Sequence, residues 1–151
     1  MKRTITKTTD RIIANNLNAW LSQASWRNIC AGKRWYKDAQ RFAKKMGKKY
    51  GVDKYIVAAI TSALSPNNKW ERNKQDAESM LKAYKEGRDI DSFKCCTYNA
   101  NKRKAWSILH GDIQLASKSP KTHSFAMNIG RLSDKHVTID KWHIRACLCK
   151  P

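Results

Sequence analysis

The chain has 151 residues, 41% of them hydrophobic, so it is long and apolar enough to bury a core. No apolar run approaches the roughly 18 residues that a membrane-spanning helix needs, and we expect no membrane association. Lys and Arg number 31 against 12 Asp and Glu, a net charge of +19 that predicts a polyanionic partner. Nucleic acid is favoured over a membrane surface because the cations are spread along the whole chain. The alternative is that the lysines serve solubility alone.

Apolar residues recur at helical spacing, and no segment is long enough to seed a sheet. Thr8 or Thr9 is predicted to cap a first helix that ends near Cys30, and Gly32 to separate it from a second. The later predicted helices are 33–50, 54–64, 69–85 and 100–110, one led by Pro120 with Gly130 as its C-terminal cap, and one capped by Asp140, with short turns in 88–98 and 113–117.

The fold class that follows is all-α, a compact helical bundle with two lobes. We expect residues 1–151 to form a single domain, with N-terminal helices over 8–50 and a core over 53–149. The helix over 54–64 is apolar on nearly every side, which indicates a central, buried position. Pro66 ends that helix, and a polar, basic loop with an exposed Trp70 is expected to follow.

Five cysteines stand at positions 30, 95, 96, 147 and 149. Their odd number and their CC and CxC spacings fit neither a disulfide framework nor a paired CxxC zinc site. We therefore expect reduced thiols, no metal and no cofactor. Residues 1–6 lack the apolar core of a secretory signal. The expected location is the cytoplasm of a bacterial or phage-infected cell, or its nucleoid.

Lys121 opens one predicted helix, and Asp140 stands nineteen residues later (140 − 121) at the start of another. A lysine amine attacks only when it is neutral, a state that burial and neighbouring cations favour, and Lys118 is such a neighbour. Both residues also have ordinary interpretations. Lys121 fits a solvated surface lysine, and Asp140 fits a helix cap worth about 0.5–2 kcal/mol.

The pair and its surroundings resemble the helix–hairpin–helix DNA glycosylases, in their endonuclease III and 8-oxoguanine glycosylase branch. That superfamily has a hairpin, a lysine that opens the next helix, and then an apolar-x-apolar-Asp segment, matched here by Val137-Thr138-Ile139-Asp140. Arg145 matches the arginine five residues beyond the aspartate. Residues 60–67 and 98–105 resemble the end of the family's core helix and its Tyr-Asn-x-Lys-Ala helix start. The resemblance covers residues 55–148.

Two departures from the family pattern change what we expect. The family's hairpin usually reads Leu-Pro-Gly-Val-Gly, whereas residues 115–120 contain no glycine. Glycine there lets backbone N–H groups approach a phosphate, so we expect a reshaped hairpin in which Lys118 and Ser119 make the contact. The family's four-cysteine iron–sulfur loop is missing, and we expect no cluster.

The resemblance implies a monomeric, bifunctional DNA glycosylase with AP-lyase activity, acting on double-stranded DNA with a damaged or modified base. Such an enzyme flips the base out of the duplex. Lys121 would attack C1′ and displace the base, and Asp140 would help deprotonate the lysine and offset charge on the sugar. The Schiff base then permits strand cleavage by β-elimination.

Further residues are expected to bind the DNA in this reading. They are Asn67, Asn68, Lys69, Trp70, Arg72, Asn101, Lys102, Arg103, Lys118, Ser119, Thr122, Lys141 and Arg145. His123 and His143 are ambiguous between facing DNA and satisfying a local hydrogen bond. Two rival functions remain open. One is a non-catalytic helix–hairpin–helix DNA-binding protein, and the other is an RNA-binding or interaction protein whose Lys/Asp spacing is accidental.

Overall fold

A computed structural model describes residues 7–95, 97–132 and 135–148, and their regular secondary structure is entirely helical. The α-helices in these residues are α1 (Lys7–Gln23), α2 (Trp26–Tyr50), α3 (Lys54–Leu64), α4 (Trp70–Lys85), α5 (Asn99–Leu109), α6 (Pro120–Gly130) and α7 (Lys141–Leu148). Short 3-10 turns cover Ile90–Ser92 and Ile113–Ser117. None of the described helices has the length and apolar character to cross a bilayer. The predicted all-α class is confirmed.

The chain divides into two compact units, and the division falls inside α2. The central unit, residues 36–138, contains most of α2 together with α3 to α6. The terminal unit, residues 1–35 and 139–151, contains α1, the start of α2, and α7. Within the terminal unit α1 packs against α7, and the Asn16 amide donates a hydrogen bond of 2.9 Å to the Cys147 carbonyl.

The α3 helix is the buried centre of the central unit, with α4, α5 and α6 packed against it. Every residue from 57 to 64 is buried. Asp53 caps the helix by accepting the backbone N–H of Tyr55 at 2.7 Å. Full burial of Ile60 and of Leu64 contributes about 1.5–3 kcal/mol each. The prediction of a central helix over 54–64 is therefore confirmed.

The break between the first two helices lies at Ser25, so the predicted separation at Gly32 and the predicted end near Cys30 are wrong. The Ser25 hydroxyl accepts the backbone N–H of Asn28 at 3.2 Å, which caps the start of α2. Gly32 lies inside α2 instead. An interior glycine costs only about 1 kcal/mol relative to alanine, and a 25-residue helix tolerates that loss.

Two further helix ends differ from the prediction. The α1 helix begins at Lys7, so Thr8 and Thr9 lie within it. The C-cap of α6 is Arg131, in the left-handed conformation (φ 52, ψ 47), and Gly130 is the last helical residue. A Cβ at Gly130 would lie 3.3 Å from the Tyr55 ring and 3.5 Å from the Leu132 side chain, so this position leaves little room for a side chain. A non-glycine residue in the left-handed region costs on the order of 1 kcal/mol.

Candidate functional site

The loop after α3 is bound to the start of α5 in the central unit. The hydroxyl of Thr97 donates a hydrogen bond of 3.4 Å to the Pro66 carbonyl, and it accepts one of 2.9 Å from the Asn101 amide. The Asn67 amide donates to the hydroxyl of Tyr98 at 3.0 Å. Two predicted DNA contacts, Asn67 and Asn101, therefore share one neighbourhood.

The first turn of α6 is held against the C-terminal half of α3. The Ser62 hydroxyl donates a hydrogen bond of 2.5 Å to the carbonyl of Thr122. The Ser119 carbonyl accepts the backbone N–H of His123 at 2.8 Å and the hydroxyl of Thr122 at 3.2 Å. Lys121 lies in this turn and is exposed. A 3-10 turn precedes α6, where the glycine hairpin of the glycosylases would stand.

The first residue of α4, Trp70, is half-buried rather than exposed as expected. Its ring packs edge-on against Phe42 and Phe125, with centroids 6.2 and 6.4 Å apart. The ammonium of Lys74 lies 5.7 Å from the centroid of the same ring. Trp70 begins α4, inside the predicted range 69–85, and its ring joins the aromatic packing of the unit. Only part of the ring remains available to a partner.

Three helices of the central unit thus begin around the C-terminal end of α3, and cations surround their first turns. The partial positive charge at a helix N-terminus stabilises anions, and adjacent cations add to the effect. We name this region the basic end; it comprises Lys69, Lys102, Arg103, Lys104, Lys118 and Lys121. The arrangement is suited to binding phosphate groups.

Sequence reasoning left Lys104 out of the predicted contacts. Burial lowers the pKa of the Lys104 ammonium below its usual 10.5, and the positive charge of Lys118 lowers that pKa further. Lys102 is more constrained, because its ammonium donates to the Phe93 carbonyl at 2.6 Å and lies 4.5 Å from the centroid of that ring. The run of three cations that begins at Lys102 is the sequence feature that points to Lys104. Which of the three is partly buried depends on the fold.

Asn68 and Arg72 are bound to one buried carboxylate, that of Asp76. The Asn68 amide donates to Asp76 Oδ2 at 2.8 Å, and Arg72 Nε pairs with Oδ1 at 3.1 Å. The Asp76 side chain is 2% exposed and the Arg72 side chain 48%. Both predicted DNA contacts therefore have a structural role, and half of the Arg72 side chain is open to solvent.

In the terminal unit, Asp140 caps α7 as predicted. One carboxylate oxygen, Oδ1, accepts the backbone N–H groups of Trp142 and His143 at 3.0 and 2.9 Å. Two predicted DNA contacts flank the exposed ring of Trp142. The Lys141 ammonium lies 5.5 Å from the ring centroid, and the Arg145 guanidinium carbon lies 4.9 Å from it. An exposed aromatic ring with two cations is able to stack on a base, a role that sequence reasoning did not assign to Trp142.

Lys121 belongs to the central unit and Asp140 to the terminal unit. The model of one protein family matches the chain from residue 1 to residue 151. The chain belongs to DUF7178, a family of unknown function. No curated protein and no solved structure matches it. For this DUF7178 chain, the glycosylase resemblance therefore rests on the residues and spacings of its own sequence.

The His123 side chain of this DUF7178 chain has a buried ring nitrogen whose hydrogen bonding is not satisfied among the described residues. Its ring lies edge-on to His136, with centroids 5.1 Å apart. Within the described residues, the buried Nδ1 atom has no hydrogen-bond partner. The local hydrogen bond considered for this histidine is thus not found at Nδ1. Cys96 and Cys149 lie outside the described residues, so the predictions for the CC and CxC pairs rest on sequence alone.

Proposed function

We propose that the protein is a DNA glycosylase with AP-lyase activity, with Lys121 as nucleophile and Asp140 as the assisting carboxylate. The proposal is carried by one observation: the exposed Lys121 stands in the first turn of α6, within the basic end. A lysine there is accessible to an extruded nucleotide, and the surrounding charge attracts the phosphates on either side of that nucleotide. The order and spacing of residues shared with the helix–hairpin–helix glycosylases give further support.

The proposed reaction begins with the neutral amine of Lys121. Its nitrogen forms a bond to C1′ of the flipped nucleotide, and the bond from C1′ to the base breaks. The base leaves with the electron pair and takes up a proton. The lysine nitrogen loses a proton, the bond from C1′ to O4′ breaks, and O4′ leaves with the electron pair and takes up a proton, which gives an iminium at C1′. Removal of a proton at C2′ then expels the 3′ phosphate and cleaves the strand.

The proposed role of Asp140 is to accept the lysine proton and to offset the positive charge that grows on the sugar. Its Oδ1 atom already accepts two backbone N–H groups of α7, while Oδ2 takes no part in those two bonds. Asp140 belongs to the other unit, so the support for its catalytic role is the sequence pattern alone. It needs a test separate from that of Lys121.

Borohydride trapping tests the nucleophile. The wild-type protein is incubated with duplexes that carry an abasic site or one modified base, and reduction fixes any Schiff base as a covalent adduct. We expect Lys121→Gln to lose the adduct. Lys118→Gln and Lys104→Gln remove the same charge from the basic end, so they should weaken DNA binding but still give the adduct when the duplex is saturating. An adduct that survives in Lys121→Gln at the wild-type yield would overturn the assignment.

Two substitutions separate catalysis by Asp140 from capping. Asparagine and serine are also good N-caps, so Asp140→Asn and Asp140→Ser should leave the thermal stability nearly unchanged. If the carboxylate assists the chemistry, both variants lose base release. Retention of full activity in Asp140→Asn would reduce the residue to a helix cap.

One observation favours an alternative, a non-catalytic DNA-binding protein in which Lys121 contacts a phosphate. Lys121 is exposed, whereas nucleophilic lysines are often activated by burial. Under that alternative the wild type shifts duplex DNA in a gel, but its trapped yield equals that of Lys121→Gln. An RNA-binding protein would instead prefer RNA to duplex DNA in the same binding assay.

A further inference from the structure

A second cationic surface lies beside the start of α3 and the end of α6, at the opposite ends of these two helices from the basic end. α3 and α6 run antiparallel, because Ser62 near the end of α3 contacts the start of α6, and Tyr55 near the start of α3 lies beside Gly130. Each helix has 11 residues and spans about 16 Å. Beside the start of α3 and the end of α6 lies a cleft of about 660 Å³. We name it the α2 cleft; its polar lining is Lys37, Gln40, Arg41, Lys44, Lys54 and Arg131.

The positive charge of the α2 cleft is largely uncompensated. Of its five cations, Arg41 pairs with Asp38 at 2.6 Å. The other four have no carboxylate within 4.0 Å among the residues that the structure describes. The walls are tied together, since the Gln40 amide on α2 donates a hydrogen bond of 3.0 Å to the Asn128 carbonyl on α6. Cations held together without counter-charge repel one another, and a bound anion removes that repulsion.

Arg131 supplies an independent indication that the α2 cleft is a binding site. It occupies the left-handed position after α6, where glycine or asparagine is the usual residue. A residue held in a strained conformation beside a charged cleft is a reason to look for a function. The strain places a guanidinium group in the cleft lining, where glycine would satisfy the backbone better and contribute no charge.

We propose that the α2 cleft binds the phosphates of a nucleic-acid backbone, at a distance from the nucleotide that would react at Lys121. Lys37, Arg41 and Lys44 follow one face of α2 over about 10 Å. One strand of a duplex carries a phosphate about every 3.4 Å measured along the duplex axis, so a row of this length is able to face more than one phosphate of a strand. A compact anion would use only part of it. The inference takes from the proposed function only that nucleic acid is the partner.

Paired substitutions on α2 test the inference. Lys37→Gln/Lys44→Gln removes two cations from the cleft, while Lys45→Gln/Lys48→Gln removes two from exposed positions of the same helix outside it. Affinity for an unmodified labelled duplex is measured over a range of salt concentrations. The slope of log K against log salt is negative. We expect the first pair to reduce its magnitude by about 2, and the second pair to leave it unchanged.

Arg131→Gly gives a test that unfolding cannot mimic. Glycine relieves the left-handed strain, so the melting temperature should stay the same or rise. The magnitude of the salt slope for the duplex should decrease by about 1. A salt slope equal to that of the wild type in both Arg131→Gly and Lys37→Gln/Lys44→Gln would overturn the inference.

Calorimetry with inorganic tripolyphosphate distinguishes the source of the phosphate. Tripolyphosphate binding that depends on Arg131, together with an unaltered duplex slope, would assign the cleft to a free polyphosphate and overturn the backbone assignment. The outcome is separable from that of Lys121. The cleft variants can change duplex binding whether or not Lys121 is trapped, and Lys121 can be trapped whether or not the cleft contributes.

Discussion

The Ser62 hydroxyl on α3 donates a 2.5 Å hydrogen bond to the carbonyl of Thr122, the residue that follows Lys121. Ser62 is 1% exposed, so this bond connects the buried centre of the unit to the turn that carries the candidate nucleophile. A side chain on a helix is positioned more sharply when that helix is fixed to a rigid core. The position of the Lys121 backbone is therefore set by α3.

Ser62→Ala should loosen the first turn of α6. We expect a loss of about 1 kcal/mol in the free energy of unfolding, measured by urea denaturation, because the part-buried hydrogen bond to Thr122 disappears. The trapped yield per folded molecule should fall as well. The control is Ser117→Ala, because its exposed hydroxyl donates a hydrogen bond within its own turn, to the Gln114 carbonyl. A smaller loss in Ser62→Ala than in Ser117→Ala would contradict this account.

Features that depend on residues close in the sequence were predicted best, in both units. The periodic, nearly all-apolar stretch of α3 and the caps at Asp53 and Asp140 depend on neighbouring residues, and the structure agrees with each. The first boundary failed because two local signals competed. Ser25 is the stronger boundary signal of the two, because serine caps a helix whereas an interior glycine such as Gly32 only weakens one.

The parts of the site that depend on tertiary contacts were not readable from the sequence. Trp70 looked like an exposed loop residue because its neighbours are polar, and its aromatic partners are distant in the chain. The partial burial of Lys104 follows from the packing of α5. The α2 cleft combines residues from three helices, so no local sequence motif predicts it.

Two glycines of α2 should respond oppositely to alanine. A Cβ at Gly47 would lie 2.6 Å from the backbone carbonyl oxygen of Val52, whereas a Cβ at Gly32 meets nothing within 4 Å. Gly32→Ala should stabilise the protein by about 1 kcal/mol through helix propensity. Gly47→Ala should destabilise it by about 1–3 kcal/mol, since backbone must shift. Thermal unfolding of both variants measures the difference, and a stabilised Gly47→Ala would contradict the described approach of Val52.

Removal of the buried carboxylate should be costly. Asp76→Ala leaves the Asn68 amide and Arg72 without their common acceptor, and we expect a loss of about 3 kcal/mol in the free energy of unfolding. Glu71→Ala is the matched control, because its side chain is 78% exposed and its ion pair is with Lys74 of the same helix. That variant should stay within about 0.5 kcal/mol of the wild type. Similar losses in the two variants would refute a special role for Asp76.

The ion pair between Lys49 on α2 and Glu78 on α4 predicts that the free energy of unfolding depends on pH. Glu78 accepts hydrogen bonds of 2.6 Å from Lys49 and 3.3 Å from the Tyr50 hydroxyl. The Lys49 bond is the main cause that lowers the pKa of the Glu78 carboxyl below its usual 4.5. The unfolded chain therefore binds more protons in that range, so this stabilisation is present above pH 4.5 and is lost as the pH falls through the lower, folded value.

Glu78→Gln and Lys49→Gln should both flatten the acid limb of the stability curve, measured by chemical denaturation between pH 3 and pH 6. The double variant should resemble either single variant, because each removes the same interaction. An acid limb in Glu78→Gln as steep as in the wild type would assign the pH dependence to other carboxylates.

The terminal unit is discontinuous in sequence, with the whole central unit inserted between its two segments. On the ribosome, α1 emerges before its packing partner α7, and the two are separated by on the order of ten seconds of synthesis. The central unit is contiguous in sequence, so all of its helices are synthesised before α7. Vectorial synthesis therefore imposes an order of assembly, and a transcript truncated before the codons for α7 would leave α1 without its packing partner.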